Sequence, residues 1–409
     1  MKAGILTIGD EILAGFTVDT NSAWMAQEML KCGIEVVAKA SVGDDHDAIL
    51  GILEHWDGEL DLVIATGGLG PTHDDITKKA FCTYFQSEIR FDEAYWSSLQ
   101  GRFRKRGYRI PANNRSQAEI PVKARTIPNP VGSALGLTFQ SETTTFIVLP
   151  GVPTEMKAII NEGILQELNT TGAISWTTLH TTGIFESALS EKLAPLISSL
   201  SDVRVAYLPS YIGVDVRIRA SAVGDPGSKA VKDAVVRIEA EVGKYIYGHD
   251  DTLLEELVGQ LLIERGETVA LAESCSGGLI ASRLTDVAGS SAYFHGGVVA
   301  YSNAAKVAQL GIKAETLEKY GAVSEATACE MAEGVKALFG VDWGVSTTGI
   351  SGPTGGTPEK PVGLAYFAVA GPQGTTAKES KLIPHRLPHK LATAQMALNL
   401  LRLELLHHE

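Results

Sequence analysis

Leu271-Ala272-Glu273-Ser274-Cys275-Ser276-Gly277-Gly278 is an apolar run that empties into a glycine pair. It predicts a strand over Thr268–Ala272 with a helix directly after it. Two glycines at a first helical turn let the backbone come close to a ligand. Their N–H groups, at the positive end of the helix dipole, suit a phosphate or a developing oxyanion. Ser274 stands at the carboxyl end of the strand, where α/β sheets place their ligands. The plainer reading makes Ser276 a helix cap and the glycines a turn. The same order recurs upstream, where Leu62-Val63-Ile64-Ala65 runs into Thr66-Gly67-Gly68-Leu69-Gly70-Pro71-Thr72-His73-Asp74-Asp75.

Around these two junctions strands and helices alternate at short spacing. In the first section, residues 1–170, strands are expected at Gly4–Ile8, Ile34–Ala38, Leu62–Ala65 and Thr145–Leu149, with helices at Asn21–Lys31 and Ala48–His55. That order predicts a parallel sheet covered on both faces. Residues 171–250 read as a small α+β module. Within it Val214, Val216 and Ile218 alternate with Asp215, Arg217 and Arg219, as in a half-buried strand. Its joints fall at Asn169-Thr170-Thr171-Gly172 and Gly248-His249-Asp250-Asp251, and a helix is expected at Lys229–Val242. Residues 251–409 alternate again, with strands at Gly297–Tyr301, Trp343–Thr347 and Leu364–Ala370 and a closing helix at His389–Leu406. The fold class expected is α/β: two α/β domains with mainly parallel sheets, joined by the small module.

With 409 residues the chain is too long for one core. A formal charge of −13 speaks against a nucleic-acid surface, which needs a basic face. It leaves room for a small anion held by backbone N–H groups. Cys32, Cys82, Cys275 and Cys329 form no Cys-x-x-Cys pair, so they read as free thiols in a reducing compartment. Neither a leader nor an apolar run of ~18 residues is visible, and a cytoplasmic protein without a membrane partner is expected.

Two further segments carry chemistry. In Tyr301-Ser302-Asn303-Ala304-Ala305-Lys306 a strand is expected to end at Tyr301, and Ser302 or Asn303 caps the next helix. Lys306 then falls in the first turn, where the dipole disfavours an ammonium. A neutral amine there can serve as a base for a serine hydroxyl; a solvated surface lysine is the ordinary alternative. In Thr347-Thr348-Gly349-Ile350-Ser351-Gly352-Pro353-Thr354-Gly355-Gly356, glycines and hydroxyls follow an apolar strand, as a substrate-wrapping loop requires.

Together these pieces resemble the C-terminal domain of the CinA family, the nicotinamide mononucleotide deamidase domain. The resemblance also rests on Ala288-Gly289-Ser290-Ser291-Ala292, Gly321-Ala322-Val323-Ser324-Glu325 and Lys360-Pro361-Val362-Gly363. It implies hydrolysis of the nicotinamide amide to the acid with release of ammonia, and no cofactor. Ser274 would be the nucleophile and Lys306 its base, assisted by Thr348 and Tyr301. Substrate would be held by Gly277, Gly278, Ser276, Asn303, Gly349, Gly352 and Arg386. Ser276 stands where the family usually has threonine. Arg386 and Lys390 stand where it has paired arginines, and a lysine cannot make the two-pronged arginine contact with phosphate. Cys275 is the rival nucleophile, because thiolates attack amides well.

The upstream glycine loop lacks the Gly-Lys-Ser/Thr ending of a P-loop. Thr72 and Asp75 are spaced as a capping box, with acids in a first helical turn. Gly9-Asp10-Glu11 and Asp19-Thr20-Asn21 follow the first strand, and carboxylates beside a phosphate loop suit a magnesium-type cation. This section resembles the molybdopterin-binding fold shared with the CinA N-terminal domain. Asn113-Asn114-Arg115, Pro128-Asn129-Pro130-Val131-Gly132 and Leu149-Pro150-Gly151-Val152-Pro153 add to the match, with Val152 in place of a usual proline. The resemblance implies metal-dependent cleavage of ADP-ribose. Asp74 and Asp75 would be catalytic or metal-binding, and Gly67, Gly68, Gly70, Thr72, Asp10, Glu11 and Asn21 would bind substrate. The middle section resembles the family's KH-like module, but Gly224-Asp225-Pro226-Gly227 is expected to be a turn and not an RNA clamp. The partners implied are small nucleotides and a second copy in a homodimer. Two alternatives stay open: a nucleotide-binding or adaptor protein with one or both sites silent, and a molybdopterin-handling protein.

Overall fold

The structure is a computed structural model. It describes residues 1–72, 75–165, 168, 174–221 and 224–407. Contacts divide the chain into two compact units, Met1–Ser175 with Ser221–Ser228, and Trp176–Ala220 with Lys229–Glu409.

In the first unit the strands are β1 (Lys2–Ile8), β2 (Glu35–Val42), β3 (Leu62–Thr66), β4 (Ile89–Phe91), β5 (Glu119–Pro121), β6 (Arg125–Ile127), β7 (Gly136–Gln140) and β8 (Thr145–Leu149). The main sheet runs β2-β1-β3-β8-β7-β6, and β4 pairs with β5 apart from it. β1, β2, β3 and β8 are mutually parallel. β3 is buried along its whole length. Val63 and Ala65 enter a core with Leu53, Phe81 and Phe146, whereas Leu62 and Ile64 enter one with Met25, Met156 and Ile159. The two-residue period thus feeds a core on each face of the sheet. The sheet is not wholly parallel: β7 turns back along β8, and β6 pairs antiparallel to β7. The turn between β7 and β8, closed by Ser141 N–H to the Thr144 carbonyl, is too short for a crossover, so only a hairpin fits.

The second unit holds two sheets. β9 (Trp176–Thr181), β10 (Val203–Pro209), β11 (Val214–Ala220) and β12 (Ile246–His249) form an antiparallel sheet in the order β10-β11-β9-β12. Val214, Val216 and Ile218 point into its core, against the helices Glu186–Ser198 and Asp225–Val242. The second helix begins earlier than the expected Lys229, so Gly224-Asp225-Pro226-Gly227 opens it and is not a free-standing turn. A proline is tolerated there because a first-turn N–H has no intrahelical partner to lose.

β13 (Val269–Glu273), β14 (Phe294–Val299), β15 (Trp343–Gly349), β16 (Leu364–Gly371) and β17 (Gly374–Lys381) form the second sheet, in the order β14-β13-β15-β16-β17. β14, β13 and β15 are parallel, and β16 and β17 return antiparallel. β14 stops at Val299, short of the expected Tyr301, because the chain leaves the sheet to cap the next helix. The closing helix is longer than expected, Arg386–His407. Pro388 sits in its first turn, where it breaks no helical bond. No helix among the described residues is long and apolar enough to cross a membrane.

Candidate functional site

Ser274 is the first residue beyond β13, and its N–H still bonds to the Thr347 carbonyl on β15 at 3.0 Å. This last rung holds the serine at the mouth of the sheet. On the other side of β13, Ser302 accepts the Ala305 N–H at 3.1 Å and starts the helix Asn303–Leu310. Lys306 lies on that helix and turns inward, only 1% exposed. Its Nζ is 2.9 Å from Ser274 Oγ, 2.7 Å from the Ala300 carbonyl and 3.5 Å from that of Tyr301. Burial pushes the lysine below its ordinary range; the Cys275 thiol pulls weakly the other way. A neutral amine has two N–H bonds and one lone pair. Here two carbonyls can take the hydrogens, which leaves the lone pair facing the serine hydroxyl.

Glu273 changes the reading of the glycine pair. Its carboxylate is 2% exposed and accepts N–H bonds from Gly278 (2.9 Å), Ile280 (3.2 Å) and Ala281 (2.9 Å). The helix begins at Leu279 with Gly278 as its left-handed cap, and the anion position at its N-terminus is filled by the protein's own carboxylate. The Gly278 N–H is therefore not free for a phosphate or oxyanion, contrary to expectation. Cys275 is buried, and desolvation pushes its thiol up to about 12, so it carries almost no thiolate near neutrality.

The other expected residues divide. Thr348 is buried and donates its hydroxyl proton to the Ala322 carbonyl at 2.7 Å. Ser276 is fully buried and shares a hydrogen with Thr347 at 2.7 Å, so its hydroxyl serves the loop and not the helix as a cap. Gly349 ends β15, and a Cβ there would lie 3.1 Å from Cys275 Sγ. The side chain of Tyr301 is exposed and accepts from Arg386 Nη2 at 2.9 Å, while Arg386 Nη1 donates to the Gly352 carbonyl at 3.2 Å. Asn303 is exposed in the first turn of its helix. Lys390 Nζ lies 3.4 Å from where a Gly277 Cβ would be, so a cation overhangs that peptide. The sequence reading missed Glu273 as a cap and the Ala300 carbonyl as a lysine partner. An acid five residues before a glycine cap was the signal for the first; a backbone carbonyl leaves none for the second.

In the first unit β3 opens into the glycine loop. Gly67 has φ +114°, and a Cβ there would lie 2.0 Å from the Ile8 carbonyl of β1, so only glycine fits. Asp75 accepts the N–H groups of Gly70 (2.6 Å) and Thr72 (2.7 Å) and the Thr72 hydroxyl. The next helix starts only at Thr77, so Asp75 pins the loop instead of sitting in a first helical turn. Asp74 lies outside the described residues. Gly67, Gly68, Gly70, Thr72 and Asp75 line one wall of a cleft of about 1060 Å³. Asp10, Glu11 and Asn21 line it too. Asp10 and Asp44 exchange N–H bonds at 3.1 Å each way. Burial raises the Asp44 carboxyl, and the nearby charges of Asp10, Glu11 and Asp75 add to the rise. Asn21 donates to the Gly151 carbonyl at 2.8 Å, and its buried Oδ1 has no partner among the described residues. Among those residues no group of three or more His, Cys, Asp or Glu side chains gathers as metal ligands.

Family models match most of the chain in three pieces. Residues 4–170 match "Probable molybdopterin binding domain", 177–248 "Damage-inducible protein CinA KH domain", and 251–405 "CinA C-terminal domain". The class defined is a composite α/β protein, with a molybdopterin-binding-like domain ahead of KH and CinA C-terminal modules. A CinA-like protein of Cytophaga hutchinsonii is 42% identical over 98% of each chain. A CinA-like protein of Salinibacter ruber is 41% identical over 97% of this chain and 98% of its own. The chain belongs to the CinA family. The crystal structure of the competence/damage inducible protein CihA from Agrobacterium tumefaciens is similar to 37% of this chain and covers 93% of its own, at 42% identity and a TM-score of 0.36.

Proposed function

We propose that the C-terminal part hydrolyses the amide of nicotinamide mononucleotide to the acid, releasing ammonia. The observation that carries this reading is the buried Lys306 amine 2.9 Å from the Ser274 hydroxyl. Lys306 accepts the serine proton as Oγ attacks the amide carbon. The tetrahedral adduct collapses as the amine returns that proton to the leaving nitrogen, and ammonia departs. A water then loses a proton to Lys306 and attacks the acyl–serine ester; the carboxylic acid leaves, and the proton passes back to Oγ. Arg386 and Lys390 offer positive charge for the substrate phosphate, with Lys390 acting as a point charge and not a fork. Ser274→Ala and Lys306→Ala should each lower ammonia release at least ~100-fold, the scale of general-base and nucleophile loss, while the circular dichroism spectrum stays unchanged. Full turnover in either variant removes that residue from the mechanism.

A second activity is proposed for the first unit, cleavage of ADP-ribose. A cleft walled on one side by the Gly67–Gly70 loop supports a phosphate-bearing ligand. Asp10, Asp44 and Asp75 accept backbone N–H bonds beside this cleft. Chelation tests the cation requirement directly: loss of ADP-ribose cleavage with EDTA, restored by a divalent cation, supports it, and unchanged cleavage removes it.

A further inference from the structure

The loop between the short helix Asp10–Leu13 and the helix Thr20–Lys31 holds its apolar side chains out in water. Phe16 is 88% exposed and Val18 80%. The loop is nonetheless tied down. Phe16 N–H bonds to the Glu11 carbonyl at 2.9 Å, Thr17 N–H to the same carbonyl at 3.1 Å, and Thr20 N–H to the Val18 carbonyl at 2.8 Å. Asp19 closes its far end, accepting from Ser22 N–H at 2.9 Å and Thr7 Oγ1 at 2.8 Å. Phe16 is thus presented by a braced backbone. An anchored aromatic ring in water is a surface that gains by being covered.

Its place supplies the cover. Phe16 and Val18 line the cleft that also contains the Gly67–Gly70 loop. Among the described lining residues Phe16 is the one aromatic ring. We propose that Phe16 is the base-stacking residue of this cleft: its ring packs on the planar base of a nucleoside phosphate whose phosphates lie toward the glycine loop. Every base has a π-face, so recognition by stacking tolerates base identity and favours the larger purine ring system. The proposal rests on the reading of the cleft as a nucleotide site and adds the side chain that reads the base end.

The test uses the full-length protein and calorimetric titration with two probes, ADP-ribose and ribose 5-phosphate, the second having no base. Phe16→Ala should weaken ADP-ribose binding about tenfold, equivalent to ~1.4 kcal/mol, and leave ribose 5-phosphate within about twofold. Phe16→Trp should retain ADP-ribose affinity and add a fluorescence component that ADP-ribose quenches. Equal losses for both probes, no loss for either, or an unquenched tryptophan at position 16 each overturns the proposal. So does a shift of Phe16→Ala to a smaller species in analytical ultracentrifugation with ADP-ribose binding intact, which assigns the patch to a second copy. If the parent protein binds neither probe, the nucleotide reading of the cleft itself fails, a result visible before any variant is made.

Discussion

At the scale of single residues, protonation of Lys306 decides when the candidate site can work. Only the neutral amine can take the serine proton. Burial lowers its pKa, so the charged form dominates below the depressed value and the neutral form above it. The rate of ammonia release should therefore rise with pH and level off below the ordinary lysine range of ~10.4. A rising limb that persists to the ordinary lysine value excludes Lys306 as the base. Cys275 makes a sharp control. With its thiol pushed up to about 12 it offers no nucleophile, so Cys275→Ala should keep turnover within about threefold, losing only packing. Loss of turnover on the scale of Ser274→Ala would transfer the nucleophile to the thiol. Sequence alone left the two side by side, because exposure, and hence thiolate content, belongs to the folded chain.

At the scale of elements, the junction between β13 and its helix depends on Glu273. The strand and helix were legible in the sequence from hydrophobic run and glycine pair, but the occupant of the helix N-terminus was not. Three N–H groups converge on the Glu273 carboxylate in a buried setting. Glu273→Ala leaves them without a partner and should lower the unfolding free energy by about 2–3 kcal/mol, the cost of stranded buried donors. Glu273→Gln keeps one acceptor oxygen but sets an amide donor against at least one of the three N–H groups, so it should lose about 1–3 kcal/mol. Urea denaturation measures both, and an alanine variant as stable as the parent would mean that water replaces the carboxylate at no cost. Most of the strands that went unforeseen are short or lie at an edge. β4, β5, β6 and β12 have only three or four residues, and β6, β12 and β17 are sheet edges, where one side needs no apolar residue; β7 is the exception, as long as β3 and with Leu137 and Phe139 buried. The antiparallel turns of both sheets escaped notice for the same reason. A hairpin differs from a crossover by the length of its link, and a polar link carries no period to read.

At the scale of the whole molecule, the two proposed activities draw on separate sets of residues in separate compact units. Ser274→Ala should abolish ammonia release and leave ADP-ribose cleavage unchanged, and a chelator should leave ammonia release unchanged. Coupled loss of both activities in either arm, with the fold intact by circular dichroism, overturns the assignment of one activity to each unit.

The sequence by itself determined the α/β class, the positions along the chain of the strands that bury both faces, and the family. These follow from local periodicity and from ordered motifs that one chain carries in a line. Only the tertiary structure decided what each motif residue touches. It set the lysine amine against Ser274 and two carbonyls, turned the Thr348 and Ser276 hydroxyls onto protein partners, and gave the helix N-terminus to Glu273. Such contacts join residues 5 to 71 positions apart. Distance, burial and the pKa that follows from burial are properties of that joining, and no spacing along the chain encodes them.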